Sequence, residues 1–243
     1  MKKYFVCGDV HSFYTYLKEA LDNAGFDLNN DDHVFVSCGD LFDRGNETLE
    51  CLNFVNSLPD HRKILIRGNH EDLLEDCLKK KTVTYTDVHN GTLNTIMQIV
   101  GLSETSFWFM SKEELSSCFD DVSNNKDLQK YFDGLVDYKE VGDYMFVHGW
   151  FPLSLNWDEN SWKIARWCNG IAYWFNNERM PNKTVVCGHW HCSYGNKRIG
   201  LIEEEFPTEG IEKAFTPFIQ PGIIALDGCT VYSRKVNVVV LEI

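Results

Sequence analysis

Three times in this chain an apolar run closes on Cys-Gly and a potential metal ligand follows: Cys7-Gly8-Asp9, Cys38-Gly39-Asp40 and Cys187-Gly188-His189. Arg67-Gly68-Asn69 and Val147-His148-Gly149 are close variants. No other feature restricts the fold as strongly. A short apolar run stopped by glycine reads as a buried strand, and strands alternating with helical stretches read as an α/β fold. In such folds ligands collect at the carboxyl ends of the strands. Neighbouring strands lie about 4.8 Å apart, so five such loops can bring Asp9, His11, Asp40, Asn69, His148, His189 and His191 around one small volume.

The chain in order supports this. Residues 4–7, 34–38 and 63–67 read as strands, each followed by a polar loop and then a helix. The first helix keeps Phe13, Tyr16, Leu17, Ala20, Leu21 and Ala24 at helical spacing and ends at Gly25. The second spans 47–58, before Pro59, and the third runs to about 79. Residues 80–140 carry no strand signal. Helices are expected at 92–100, 111–119 and 127–136, so the segment reads as a helical insertion or lid within one domain spanning 1–243. Strands resume at 144–147 and 184–187, separated by an aromatic helix over 161–176. The tail reads as strands at 222–226, 230–232 and 236–243, expected to be antiparallel neighbours because short turns join them.

The chain has 243 residues, 44% hydrophobic and 14% aromatic, enough for a substantial core. A net charge of -13 argues against nucleic acid as a partner. There is no apolar run long enough to span a membrane, and the apolar stretch after Met1-Lys2-Lys3 is too short for a signal peptide. Nine cysteines without a CxxC pair fit a reduced, cytoplasmic protein. Cys7, Cys38 and Cys187 read as small buried residues, because strand alternation turns them away from the adjacent ligand. His33, His61 and His89 fall outside the repeated pattern and are expected at the surface or in loops.

The densest chemistry is in Gly39-Asp40-Leu41-Phe42-Asp43-Arg44-Gly45. Two carboxylates and a guanidinium there are costly to bury without a partner. Carboxylate and imidazole donors suit Mn, Fe or Zn better than Ca or Mg. One Asp can bridge two metals roughly 3.5–4 Å apart, an arrangement that drives in-line displacement at phosphorus.

In order, G-D-V-H, G-D-L-F-D-R-G, G-N-H-E, V-H-G and G-H-W-H resemble the calcineurin-like metallophosphoesterases. The D-R-G and N-H-E segments are similar to the phosphoprotein phosphatase branch, especially its phage lambda phosphatase-like bacterial members, and Ala225-Leu226-Asp227-Gly228-Cys229 resembles that branch's closing turn. The resemblance implies a four-layer α-β-β-α sandwich with a helical cap and two divalent metal ions, manganese foremost. Asp9 and His11 would bind the first metal, joined by His191. Asp40 would bridge, and Asn69, His148 and His189 would bind the second. His70 would be the general acid, oriented by Asp43, while Arg44, Arg166 and Asn69 would hold the phosphate. The implied reaction is hydrolysis of phosphate monoesters by a metal-bound hydroxide, of the Ser/Thr protein phosphatase type. A symmetrical dinucleoside tetraphosphate hydrolase and a non-catalytic scaffold on the same fold are the alternatives; His70, Asp43 and Arg44 count against the scaffold. The substrate side departs from the branch: His89-Asn90-Gly91 stands where Asn-Gly-Gly is usual.

Overall fold

The computed structural model describes residues 1–154 and 157–243. The first half alternates strand and helix: β1 (Lys3–Cys7), α1 (Tyr14–Ala24), β2 (His33–Ser37), α2 (Thr48–Ser57), β3 (Lys63–Ile66) and α3 (Asn69–Lys80). Five helices follow, α4 (Tyr85–Asn90), α5 (Thr92–Val100), α6 (Glu104–Trp108), α7 (Lys112–Ser123) and α8 (Lys126–Asp133). Next come β4 (Leu135–Val136), β5 (Lys139–Val141), β6 (Tyr144–Phe146), α9 (Glu159–Ala165), α10 (Gly170–Phe175), β7 (Thr184–Cys187) and α11 (Cys192–Arg198). The chain closes with α12 (Ile211–Ala214), β8 (Phe218–Gln220), β9 (Ile223–Ala225), α13 (Thr230–Ser233) and β10 (Val238–Glu242).

Two five-stranded sheets result, ordered β10-β1-β2-β3-β4 and β5-β6-β7-β9-β8. β1 to β4 run parallel, as do β6, β7 and β9, with antiparallel strands β10, β5 and β8 at the edges. Strand alternation sorts side chains into layers. Val6, Val34, Val36 and Ile66 of the first sheet meet Phe146, Val186 and Ile224 of the second. Phe5, Phe35 and Leu65 face the other way, into a core shared with α1, α2, α3, α5, α7 and α8. Met145, Val147, Val185 and Ile223 pack under α9, α10 and α11. This is the four-layer α-β-β-α arrangement. Its consequence for the site is in the register: Cys7 pairs with Ser37 and Cys187 with Ala225, so the loops beyond these strands leave the sheets side by side.

Several local expectations give way to tertiary structure. Residues 161–176 form two helices, because Asn169 starts a new one by accepting from the Ala172 amide at 2.9 Å. Residues 135–136 leave the helix at Gly134 and pair with β3. The 230–232 segment is a helical turn, held by the Thr230 hydroxyl donating to the Asp9 carbonyl at 2.9 Å. His33 is buried, packed on Phe5 and Phe26 and accepting from the Asp27 amide at 3.0 Å; its place in β2 puts an apolar wall around it. No helix among the described residues is long and apolar enough to cross a membrane.

Candidate metal centre

The loops after β1, β2, β3, β6 and β7 carry the site, and their backbone is unusual. Asp9, His11, Asp40, Asp43, Arg44 and His189 all have positive φ, from 52° to 73°. For residues with a Cβ this conformation costs about 1–3 kcal/mol each and persists only where the surroundings dictate it. Part of that dictation is visible at Gly68. A Cβ there would lie 2.2 Å from Asp40 Oδ1 and 2.6 Å from Glu71 Oε2, so glycine is what lets the start of α3 approach the Asp40 loop.

Among the described residues, two groups could hold a cation, and Asp40 belongs to both: His11, Asp40 and His70, and Asp40, His148 and His189. In each, the donor atoms lie within 4.8 Å of one another. Asp40 Oδ2 is 3.8 Å from His11 Nε2, and Asp40 Oδ1 is 3.3 Å from His148 Nε2. Asn69 Oδ1 lies 2.8 Å from the same His148 nitrogen. The distal ring nitrogens are fixed by carbonyls. His11 Nδ1 meets Phe42 O at 3.0 Å and His148 Nδ1 meets Cys38 O at 2.7 Å, the outer contacts that orient a ligating imidazole. Asp9 stands beside these groups, both carboxylate oxygens 2.9 Å from the His189 amide that donates to them.

The electrostatics fit a bound cation. Burial, with Arg44 and His70 nearby, holds the His11 pKa well below the ordinary histidine value. Burial and His148 push His189 down to about 3. Both shifts favour the neutral imidazole, the form that binds a metal. Burial resists charge on His148, but Asp40 and Asp9 outweigh it and push its pKa up to about 10. Burial, Asp227 and Asp40 push the Asp9 carboxyl well up, while His148 and His70 overcome burial and hold Asp40 well down. A buried carboxylate such as Asp9, pushed towards its protonated form for want of positive charge, is the setting in which a divalent ion can replace the proton. The nitrogen and oxygen donor set is one that Mn, Fe and Zn share.

Beside the shared carboxylate runs a second line of contacts. His70 Nδ1 is 2.7 Å from Asp43 Oδ2. Arg44 Nη2 donates to His70 Nε2 at 3.2 Å, which leaves Nδ1 as the nitrogen that donates to Asp43. Burial opposes charge on His70, but Asp40 and the Asp43 hydrogen bond prevail and raise its pKa. Asp43 is fully buried and receives the hydroxyls of Thr92 at 2.8 Å and Thr95 at 2.7 Å. Arg44 is exposed.

Two expected site residues are engaged by other partners. Arg166 is buried and donates to Asp72 at 2.6 Å and to Asp137; a guanidinium taken out of water needs such acid partners, and these engage it here. His191 joins neither cation group. Its Nε2 is 2.5 Å from Glu205 Oε1, and its ring packs on Phe206 and Phe215. Conversely, the sequence reading gave no role to Glu71, Thr92 or Thr95. Glu71 accepts from the amides of Gly68, Asp40 and Leu41 at 2.8, 2.9 and 3.0 Å, and from the Tyr131 hydroxyl at 3.0 Å. A glutamate at the third position of a helix is a capping signal, so Glu71 was within reach of sequence reasoning. The threonines, on α5, carry no such signal.

Gly91 offers a test of how the helical segment shapes the cluster. It has φ 89°, and a Cβ there would lie 2.2 Å from the Arg44 amide nitrogen. Gly91→Ala should displace the Arg44 backbone and cost about 1–3 kcal/mol of stability through the strained conformation. Thermal melts check this. An unchanged Tm would mean that the Arg44 loop yields to the added methyl group.

A protein-family model described as calcineurin-like phosphoesterase matches residues 2–193. A symmetrical bis(5'-nucleosyl)-tetraphosphatase from Buchnera aphidicola subsp. Baizongia pistaciae is 42% identical over 71 residues, 29% of this chain and 24% of that protein. Serine/threonine-protein phosphatase 1 from Salmonella typhimurium is 38% identical over 87 residues, 36% of this chain and 38% of that protein. The matched segments thus span well under half the length of these curated relatives. Among solved structures, a cold-active protein-tyrosine phosphatase from a psychrophilic Shewanella shares the fold with a TM-score of 0.58 at 16% identity, over 100% of this chain and 76% of that one. A candidate diadenosine tetraphosphatase does so at 0.56 and 17% identity, over 95% of this chain and 85% of that one.

Proposed function

We propose, for a chain that belongs to the calcineurin-like phosphoesterase family, that this cluster hydrolyses phosphate monoesters of the Ser/Thr phosphoprotein type. The observation that carries the reading is the line Asp43–His70–Arg44 set against a carboxylate, Asp40, common to two cation groups. Asp9, His11, Asp40, Asn69, His148 and His189 are the residues that would hold two divalent ions, manganese foremost. When bound, such ions supply Lewis-acid polarisation of the phosphoryl oxygens and lower the pKa of water.

The remaining work falls to side chains of this chain. Arg44, exposed at the mouth, takes a phosphoryl oxygen and in doing so leaves His70 Nε2. That nitrogen is then free to carry a proton, while Asp43 keeps Nδ1 protonated and the ring in one orientation. From Nε2 the proton passes to the departing alkoxide oxygen. Thr92 and Thr95 hold Asp43, so the acid pair does not drift between turnovers.

A second reading, symmetrical dinucleoside tetraphosphate hydrolysis, has support in the names of several relatives. A polyphosphate asks for more positive charge than one phosphoryl group. Arg44 reaches the cluster, whereas Arg166 is neutralised by Asp72 and Asp137, which favours the monoester. Assaying a phosphoserine peptide and diadenosine tetraphosphate side by side with the manganese-loaded protein tests the choice; preference for the tetraphosphate would reverse it. Metal binding has its own test. Asp40→Asn should lower the affinity for both ions, because its carboxylate belongs to both groups. Metal analysis after dialysis should then find well under two equivalents, and full retention would remove Asp40 as the bridge.

A further inference from the structure

Trp167 is 52% exposed although it adjoins the metal centre. Its ring lies 5.9 Å from that of His189, nearly perpendicular at 83°. An indole half in water therefore stands against the ring of a candidate metal ligand. Ile164, one turn earlier on α9 and joined to Trp167 by an amide-to-carbonyl bond of 3.1 Å, is 69% exposed. An indole is the side chain with the most apolar area to gain from burial, and a large apolar surface left in water next to a polar cluster marks a binding position. The Arg166 guanidinium does not cover it, being committed to Asp72 and Asp137.

We infer that Trp167 is a specificity-determining residue whose indole stacks on the leaving group of an aryl phosphate, a phosphoryl group esterified directly to an aromatic ring as in a phosphotyrosyl side chain. The short separation from His189 selects this class. A ring attached through the ester oxygen stays next to the metal ligands and meets the indole, whereas a base at the end of a polyphosphate lies beyond it. Offset or edge-to-face packing between rings is favourable beyond the area it buries, and stacking of a planar ligand on an aromatic side chain is tolerant of substituents. Of two monoesters, the aryl one is then bound more tightly than the alkyl one. This rests on the phosphoesterase reading, and the test separates the two.

The experiment compares wild type, Trp167→Ala and Trp167→Phe, all manganese-loaded, by calorimetric titration with phenylphosphonate and methylphosphonate, and by kcat/KM on phosphotyrosine and phosphoserine. Wild type should bind the phenyl probe roughly tenfold more tightly than the methyl probe, the scale of one stacking contact. In Trp167→Ala that ratio should collapse towards one, chiefly through KM on the ester side, and Trp167→Phe should keep most of it. A ratio unchanged in Trp167→Ala overturns the inference. So does an equal loss on both probes accompanied by lost metal, which would reduce Trp167 to a support for His189. If wild type shows the phenyl preference but hydrolyses neither ester, the hydrolase reading fails while the stacking site stands.

Discussion

His70→Asn should lower turnover of an alkyl phosphate by roughly 10²–10⁴-fold, the range for loss of a general acid, and lower turnover of nitrophenyl phosphate much less. The asymmetry follows from the leaving oxygen. An alkoxide is strongly basic and needs protonation as it departs, whereas a nitrophenolate leaves unaided. His70 Nδ1 is committed to Asp43 at 2.7 Å, so Nε2 is the nitrogen that can serve, and it faces Arg44 and Asp40. His70 also falls within reach of a cation group with His11 and Asp40, so metal content must be measured alongside kcat. If His70→Asn loses metal, the residue is a ligand; if metal is retained but both substrates suffer equally, it positions the nucleophile or the phosphate. Asp43→Asn should show the same bias more weakly, since it acts through His70.

Glu71→Ala should destabilise the protein by roughly 3–5 kcal/mol, the cost typical of truncating one partner in a buried charged network. Three backbone amides and the Tyr131 hydroxyl converge on this carboxylate, and each would be left without an acceptor, at about 1–3 kcal/mol for any that water cannot reach. The Asp40 and Leu41 amides belong to the loop that carries the shared carboxylate, and the Gly68 amide belongs to the start of α3. The loss should therefore appear twice: as a Tm lower by about 6–20 °C for a chain of this size, and as weaker metal binding in whatever protein remains folded. A Tm within about 2 °C of wild type would mean that water replaces the carboxylate and that Glu71 is dispensable to the loop.

What the sequence by itself determined is the part of this protein governed by neighbours in the chain. Apolar runs stopped by glycine marked β1, β2, β3, β6 and β7. Parallel pairing then left little freedom about where the following residues emerge, so His11, Asp40, His148 and His189 could be gathered from spacing, whereas the role of His70 came only with the family resemblance. The layers followed from the period-two alternation of the same strands. Only the tertiary structure decided how charges and hydroxyls pair across long separations. Thr95 reaches Asp43 over 52 residues, and Arg166 reaches Asp72 over 94, and no local pattern marks either contact. Arg166 was assigned to the phosphate by resemblance, and its neighbours in sequence do not include the acids that neutralise it in space. His191 follows the motif of a ligand, yet its ring lies with Glu205 and two phenylalanines, brought there by the packing of the segment after α11. Secondary structure and strand ends are set by interactions within a few residues, whereas the partner of a buried charge is set by whichever opposite charge the fold delivers, and burial makes that pairing obligatory.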